Sequence, residues 1–403
     1  MAAEFLPGNR ITLLNSGAEY FPALFAAIDT AQSEIYLESY IFADDEIGHA
    51  VATALCLAAA RGVRVNVTVD GFGARNFKTD FLPRLTAAGV QSMQYRPELG
   101  RFHFRRHRLR RLHRKLVVID ARVAFVGGIN IVDDNNVPED MRPRYDYAVR
   151  IEGPVLAQVH HAVRHMWEIV SWVNFKHRFR SAPPAHPCCQ PVGEQSAVFL
   201  IRDNIRHRND ILNAYLAAIH GAQREILIAN AYFLPGVRFG RALQAAARRG
   251  VKITVLLQGK TDHQLLRFAT QTLYAAVLAS DIRIFEYEKS FMHAKVAVID
   301  GEWATVGSSN IDPFSLLLAK EANVVVRDRQ FATQLQQSIE EAMRLGAREM
   351  HAADVNAQPV HFRFLRWLSY GFVRLLVGLT GYGPKHWRSD EDMPGVSPEA
   401  PRE

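Results

Sequence analysis

His113-Arg-Lys115-Leu-Val-Val-Ile-Asp120 is followed by six residues and then by Gly127-Gly128-Ile-Asn130. The pattern returns as His293-Ala-Lys295-Val-Ala-Val-Ile-Asp300, six residues, and Gly307-Ser308-Ser-Asn310. The shared His, Lys, Asp, Gly and Asn recur at one offset of 180. At roughly one residue in twenty per fixed position, such a match arises by chance about once in a few million registers. The chain therefore carries a duplication. The aliphatic run between Lys and Asp predicts a buried strand in each copy. Side chains alternate along a strand, so His113 shares a face with Lys115, and His293 with Lys295. Asp120 and Asp300 fall on the opposite face. Asp300-Gly301 ahead of a second apolar run is a hairpin-turn signal. On alternation alone, both aspartates read as turn formers or anchors.

The duplication extends outward. Ala26-Ala-Ile-Asp-Thr-Ala-Gln-Ser-Glu-Ile35 returns as Ala217-Ala-Ile-His-Gly-Ala-Gln-Arg-Glu-Ile226, an offset of 191, and Phe42 meets Phe233 at the same offset. Ala58-Ala-Ala-Arg-Gly-Val-Arg-Val65 returns from Ala245 with one residue of slippage. Apolar runs follow, Val65 to Val69 and Ile253 to Leu257. Each half reads helix, strand, helix, strand, which predicts an α/β layer structure. A period this long means duplicated domains rather than a solenoid. The expected organisation is an N-terminal domain over 1–175, a linker over 176–196, a C-terminal domain over 197–350 and a tail over 351–403. The linker carries Pro183, Pro184, Pro187 and Pro191. The Pro- and Glu-rich end from Ser389 is expected to be disordered.

Composition sets the outer limits. At 48% hydrophobic and 22% charged over 403 residues, the chain is of globular type and long enough for a large core. Three cysteines, two of them the adjacent Cys188 and Cys189, make no disulfide framework and are expected to be reduced thiols. No basic stretch followed by an apolar run opens the chain, and no run of about 20 residues is apolar enough to span a bilayer. A soluble or peripherally bound protein is expected. The net charge of +7 points to an acidic partner: nucleic acid, anionic lipid or a phosphorylated substrate.

Two halves that each offer an imidazole and an ammonium on a common face can build one composite site. Ammonium groups beside the imidazoles disfavour a metal cation and favour an anion, and a phosphodiester fits. The lysines would stabilise charge on phosphoryl oxygens. One neutral histidine would attack phosphorus while the other protonates the leaving oxygen. Asn130 and Asn310 can donate to the same oxygens. Each histidine also needs an orienting group. Asp146 and Glu321 open matching apolar strands after the two motifs and are the expected partners of His113 and His293 respectively.

The pair of motifs resembles the His-x-Lys-x4-Asp-x6-Gly-Gly/Ser-x-Asn signature of the phospholipase D superfamily. More narrowly, the chain is similar to the bacterial cardiolipin synthase B group from about Arg10 to about Met350, including Asn230-Ala-Tyr-Phe233, Ala304-Thr-Val-Gly-Ser-Ser-Asn310 and Glu321-Ala-Asn323. The resemblance implies two α/β sandwich domains sharing one active site, with His113, Lys115, Asp120, His293, Lys295 and Asp300 as the catalytic signature. It implies phosphatidyl transfer to phosphatidylglycerol without metal or cofactor. The route is a phosphohistidine intermediate, two in-line displacements and net retention at phosphorus. His113 is implied as nucleophile and His293 as general acid. Gly128 stands where many members carry a serine like Ser308, so one hydroxyl near the phosphate is expected to be missing.

Seven arginines fall between Arg101 and Arg114 with no acidic residue among them, in an insertion of about 12 residues that the second half lacks. Arg101, Arg105, Arg106, Arg108, Arg110 and Arg111 are expected to meet a membrane surface or lipid headgroups. In the tail, Leu365, Leu368, Phe372, Leu375, Leu376 and Leu379 share one face of a helical wheel, with Arg363, Arg366 and Arg374 opposite. That pattern suits a helix lying in the headgroup plane. Gly259-Lys260-Thr261 lacks the earlier glycine of a nucleotide-binding loop. His161 and His165 read as helix-surface residues, and Trp167 and Trp172 as packing residues of the same helix. The leading expectation is a peripheral enzyme of the bacterial inner membrane, on its cytoplasmic side, that joins two phosphatidylglycerols into cardiolipin and releases glycerol. Anionic phospholipids are the expected partners and nucleic acid is not. The rival is a phosphodiesterase of the same superfamily, hydrolysing lipids or nucleic acid.

Overall fold

The computed structural model describes residues 4–97, 110–174, 185–260, 270–312, 315–316, 318–353 and 371. The first half supplies β1 (Leu6–Asn15), β2 (Glu34–Ser39), β3 (Arg64–Asp70), β4 (Gln91–Tyr95), β5 (Leu116–Ile119), β6 (Val123–Gly127) and β7 (Tyr147–Glu152). The second supplies β8 (Gln195–Arg202), β9 (Glu225–Asn230), β10 (Lys252–Gln258), β11 (Arg283–Tyr287), β12 (Lys295–Ile299), β13 (Trp303–Gly307), β14 (Glu321–Arg327) and β15 (Ala347–Met350). Their sheet orders are β1-β7-β6-β5-β2-β3-β4 and β8-β14-β13-β12-β9-β10-β11, with β15 added at the far edge. The orders match strand for strand, so the duplication seen in the motifs is a duplication of topology. β1 and β8 pair antiparallel, Leu6 with Ala197 and Asn9 with Gln195, which joins both halves into one 15-stranded sheet.

The helices follow from apolar stripes and caps. α1 (Ser16–Asp29) and α2 (Glu46–Ala60) cover the outer face of the first half, and the Asp45 side chain caps α2 by accepting from the Gly48 N–H. α3 (Leu156–Val173) buries Val159, Val163, Met166, Trp167 and Val170 against the inner face. α4 (Asp210–Gly221) and α5 (Val237–Arg248) repeat the outer cover in the second half. α6 (Arg329–Gly346), capped by Asp328, lays Phe331, Leu335 and Ile339 on the inner face. The inner faces of both halves, with α3 and α6, form one continuous core. The fold is therefore an α/β duplication built around a shared centre.

The register fixes where chemistry can sit. Glu38 pairs with Leu116 and Asn230 with Lys295, so the carboxyl ends of β2 and β9 meet the amino ends of β5 and β12. The carboxyl ends of β3, β4, β8, β10 and β11 and the amino ends of β7 and β14 lie at that same end of the sheet.

The motif aspartates sit at the other end. Asp120 and Ala121 have φ of 52° and 50°, and Asp300 and Gly301 have 55° and 66°, the left-handed pair that closes a tight hairpin. The Asp120 carboxylate accepts from the N–H groups of Gln32, Ser33 and Glu34, and Asp300 accepts from those of Gln223, Arg224 and Glu225. The repeated Ala-Gln-x-Glu sequence is thus the strand start that each aspartate anchors. Burial alone would raise the Asp120 pKa, but its donors outweigh burial and hold it below the ordinary value, and Asp300 behaves alike.

Candidate active site

Backbone pairing across the halves builds the site. Leu112 forms a parallel bridge with Lys320, and Met292 with Tyr145. The His113 N–H donates to the Lys320 carbonyl at 2.9 Å, and the Lys320 N–H to the Arg111 carbonyl at 2.8 Å. Likewise the His293 N–H donates to the Tyr145 carbonyl at 2.7 Å, and the Tyr145 N–H to the Phe291 carbonyl at 2.8 Å. Each His-x-Lys segment therefore lies along the strand start of the opposite half. Two side chains hold these segments from below: Asp70 accepts from the Leu112 N–H at 2.8 Å, and Gln258 from the Met292 N–H at 2.5 Å.

This pairing crosses the carboxylates. His113 Nδ1 lies 3.0 and 3.1 Å from the two oxygens of Glu321, and His293 Nδ1 lies 2.7 Å from Asp146 Oδ2. The expected pairing of Asp146 with His113 and Glu321 with His293 is corrected. The residue following each bridge position, Glu321 or Asp146, is delivered to the histidine of the other half. A carboxylate on Nδ1 favours the proton there and leaves the Nε2 lone pair for chemistry.

The lysines complete one buried cluster. Lys115 Nζ donates to the His113 carbonyl at 2.7 Å, and Lys295 Nζ donates to the His293 carbonyl. Lys295 Nζ also lies 4.0 Å from Asp146 Oδ2. Burial pushes the Lys115 ammonium down to about 7, opposed by Glu321 and assisted by Lys295. Burial likewise pushes Lys295 down to about 8, opposed by Asp146 and Glu321. Both imidazoles are held below their ordinary value, first by burial, with His293 lowered further by the two lysines. Burial raises Asp146 to about 6 against the pull of Lys295. Burial draws charge from both lysines, and a bound phosphodiester would return them toward full charge.

The remaining motif residues divide by task. Ser308 Oγ donates to Glu321 Oε2 at 2.5 Å and accepts from the Ala322 N–H at 3.0 Å. Its hydroxyl braces a carboxylate rather than facing a phosphate. A Cβ on Gly128 would stand 2.3 Å from Asp146 Oδ1, so the shorter acid occupies the space a side chain at 128 would need. Asn130 Oδ1 accepts from the Ile41 N–H at 3.1 Å, and its Nδ2 makes no hydrogen bond among the described residues. Asn310 is buried, with Oδ1 unpartnered among the described residues. Asp120 and Asp300 are not brought to the histidines. They lie one strand length away, in the hairpins described above.

Several neighbours were not read from the sequence. The Tyr40 ring sits 4.8 Å from His113, and Phe291 stacks on His293 at 6.1 Å with Arg144 packed over it. Asp70 and Gln258 end β3 and β10, so alignment of the two halves at those strands would have flagged them. The basic cluster is also revised. Arg101, Arg105, Arg106 and Arg108 lie outside the described residues, as do the leucines and arginines of the helix expected in the tail. Arg114 is not at the surface: it is buried, with Nε and Nη2 donating to the Glu38 carboxylate at 2.8 and 2.7 Å. Arg111 packs over the Phe72 ring, with Asp70 at 3.8 Å. His161 and His165 stack on the exposed face of α3. Trp167 is buried as expected, but Trp172 is 71% exposed and packs no core.

Comparison with known proteins agrees on one family. A family model described as "Cardiolipin synthase, PLD-like domain" matches residues 24–167 and again 215–343. Cardiolipin synthase B of Shigella flexneri is 38% identical over 387 residues, covering 96% of this chain and 93% of that protein. The Escherichia coli K12 protein of the same name matches at the same identity and coverage. Among solved structures, the phosphatidylserine synthase of Haemophilus influenzae superposes with a TM-score of 0.69 over 95% of this chain and 97% of that one. At 14% identity it supports the fold alone.

Proposed function

The chain belongs to the cardiolipin synthase family of phospholipase D-like proteins, and from that membership we propose that the His113–His293 site joins two phosphatidylglycerols into cardiolipin with release of glycerol. The observation that carries the reading is the pair of crossed histidine–carboxylate contacts around two buried lysines. Within the cluster, two ammonium groups balance two carboxylates. A phosphodiester adds one negative charge, which favours protonation of one imidazole and so supplies the general acid.

His113 Nε2 attacks phosphorus and the bond to the departing glycerol oxygen breaks. His293 gives that oxygen its proton. The phosphatidyl group is then held on His113 through a P–N bond. A hydroxyl of the second phosphatidylglycerol attacks the same phosphorus, His293 takes its proton, and the P–N bond breaks to free His113. Two inversions leave net retention. Lys115, Lys295 and the side-chain amides of Asn130 and Asn310 steady the phosphoryl oxygens. Glu321 and Asp146 position the imidazoles, and Ser308 positions Glu321. The choice of His113 as nucleophile follows the family resemblance.

The described residues contain no helix long and apolar enough to cross a membrane. The proposed setting is peripheral, on an anionic phospholipid surface at the cytoplasmic face of the bacterial inner membrane. Incubation with headgroup-labelled phosphatidylglycerol tests the reaction. Cardiolipin and free glycerol in equal amounts are expected. Phosphatidic acid without cardiolipin, or cleavage of nucleic acid instead, would replace the transferase with a hydrolase.

A further inference from the structure

Among the described residues, eight large apolar side chains are exposed. They are not scattered. Phe72 follows the carboxyl end of β3, Ile205 follows that of β8, and Ile169, Trp172 and Val173 end α3, where the Asn174 side chain reaches the Gln94 carbonyl of β4. Val237 and Leu345 stand at the same end of the second half, beside the loop after β9 and the start of β15. Only Leu57, late in α2, lies at the opposite end. Isolated exposed apolar residues are ordinary, but a set gathered at the end that holds the active site marks an interaction surface.

Arginines rim Phe72 and Ile205, while Glu168 lies one turn before Trp172 and the Asp203 carboxylate accepts from the Ile205 N–H. The Phe72 ring lies between the guanidinium groups of Arg75 and Arg111, each 4.9 Å from its centroid, and Arg111 is two residues from His113. Arg206 and Arg208 are exposed beside Ile205. Lys320 lies in the field of both Asp203, at the Ile205 loop, and Arg96, just after β4. Exposed tryptophan and isoleucine with arginine at their rim match the polarity step of a lipid interface, where the ring sits at headgroup depth and guanidinium groups meet phosphates.

We propose that the face formed by Phe72, Trp172 and Ile205 with Arg75, Arg111 and Arg206 is where the protein docks on an anionic bilayer, with the His113 side of the active site turned toward the lipid. The choice of a bilayer as partner rests on the proposed lipid-transfer function, while the surface itself rests on exposure and charge. This docking would let a lipid headgroup enter beside Arg111 without leaving the membrane plane.

The test uses the full chain and two vesicle compositions, phosphatidylcholine alone and phosphatidylcholine with phosphatidylglycerol. The double variant Trp172→Ser with Ile205→Ser is expected to partition at least tenfold more weakly onto the phosphatidylglycerol vesicles. Leu57→Ser is expected to partition like the parent. Turnover of a short-chain phosphatidylglycerol below its micelle concentration is expected to stay within twofold in both, which also reports that the variants fold. In the parent, vesicles of brominated lipid are expected to quench fluorescence that Trp172→Phe removes. Unchanged partitioning of the double variant, an equal loss in Leu57→Ser, or quenching unaltered by Trp172→Phe would overturn the proposal. Partitioning and quenching need no catalysis, so absence of cardiolipin synthesis would sink the reaction and leave the docking face standing.

Discussion

Position 128, a glycine where the second half has Ser308, is where the two halves of the site differ beside the histidines' carboxylates. Ser308 gives Glu321 a hydroxyl to lean on, whereas Gly128 clears room for the shorter Asp146. Gly128→Ala should therefore displace Asp146 and, through it, His293. A shift on the order of 1 Å in a catalytic group costs about 100-fold in rate. We expect a fall in kcat of that size with little change in KM, measured on phosphatidylglycerol, and a far smaller effect for Ser308→Ala, which only removes a brace. The lysines give a second residue-scale prediction. Their folded pKa values, about 7 for Lys115 and about 8 for Lys295, lie below the unfolded value of about 10.4. Between those limits the unfolded chain binds more protons, so this contribution to stability rises with pH from about 7 to about 10. A bound anion works the other way, because it favours the charged lysines. The gain in Tm from sulfate should be largest below pH 7 and shrink by pH 9. Lys115→Met should lose the Lys115 share of that pH dependence and keep the share of Lys295, centred near pH 8. A sulfate effect independent of pH in the parent would contradict the assignment.

At the level of elements, the strands beneath the site are held by polar contacts that no apolar pattern announces. Arg114, two residues before β5, turns to the face opposite His113 and Lys115, where Glu38 of β2 holds it buried. Glu38→Ala would strand a buried guanidinium, and losses of about 3–5 kcal/mol accompany such broken pairs. Urea denaturation should show a loss of that size, with the double change Glu38→Met and Arg114→Leu recovering much of it. A loss under about 1 kcal/mol for the single change would contradict this account. The same contrast explains what was legible beforehand. The alternation of helix and strand within each half, the shared face of His113 and Lys115, and the hairpin at Asp300-Gly301 all follow from local periodicity and turn chemistry. The crossed carboxylates do not. Asp146 and Glu321 occupy equivalent positions, and local pattern alone pairs each with the histidine of its own half. Only the bridges Leu112–Lys320 and Tyr145–Met292, which join distant chain segments, redirect them. Arg114 closes a run of seven arginines, and like charges in a row hide the alternation that turns one of them inward. Trp172 was read as packing because an aromatic one turn beyond a core stripe looks like its continuation.

Taken whole, the molecule is two copies of one fold that neither copy completes alone. β1 and β8 make the sheet continuous, the inner faces share a core, and each histidine is oriented by the opposite half. The halves should consequently unfold together. Differential scanning calorimetry is expected to give a single transition with matching calorimetric and van't Hoff enthalpies, and two separable transitions would contradict a shared core. The same duplication underlies the chemistry, since one half holds the migrating group while the other handles the proton. That division is tested most directly by rapid acid-free quenching of the enzyme with short-chain phosphatidylglycerol, followed by peptide mass spectrometry. A phosphatidyl adduct on His113 is predicted, absent in His113→Ala and formed far more slowly in His293→Ala, which lacks the proton donor for the departing glycerol. An adduct on His293, or sustained turnover in His113→Ala, would contradict the account.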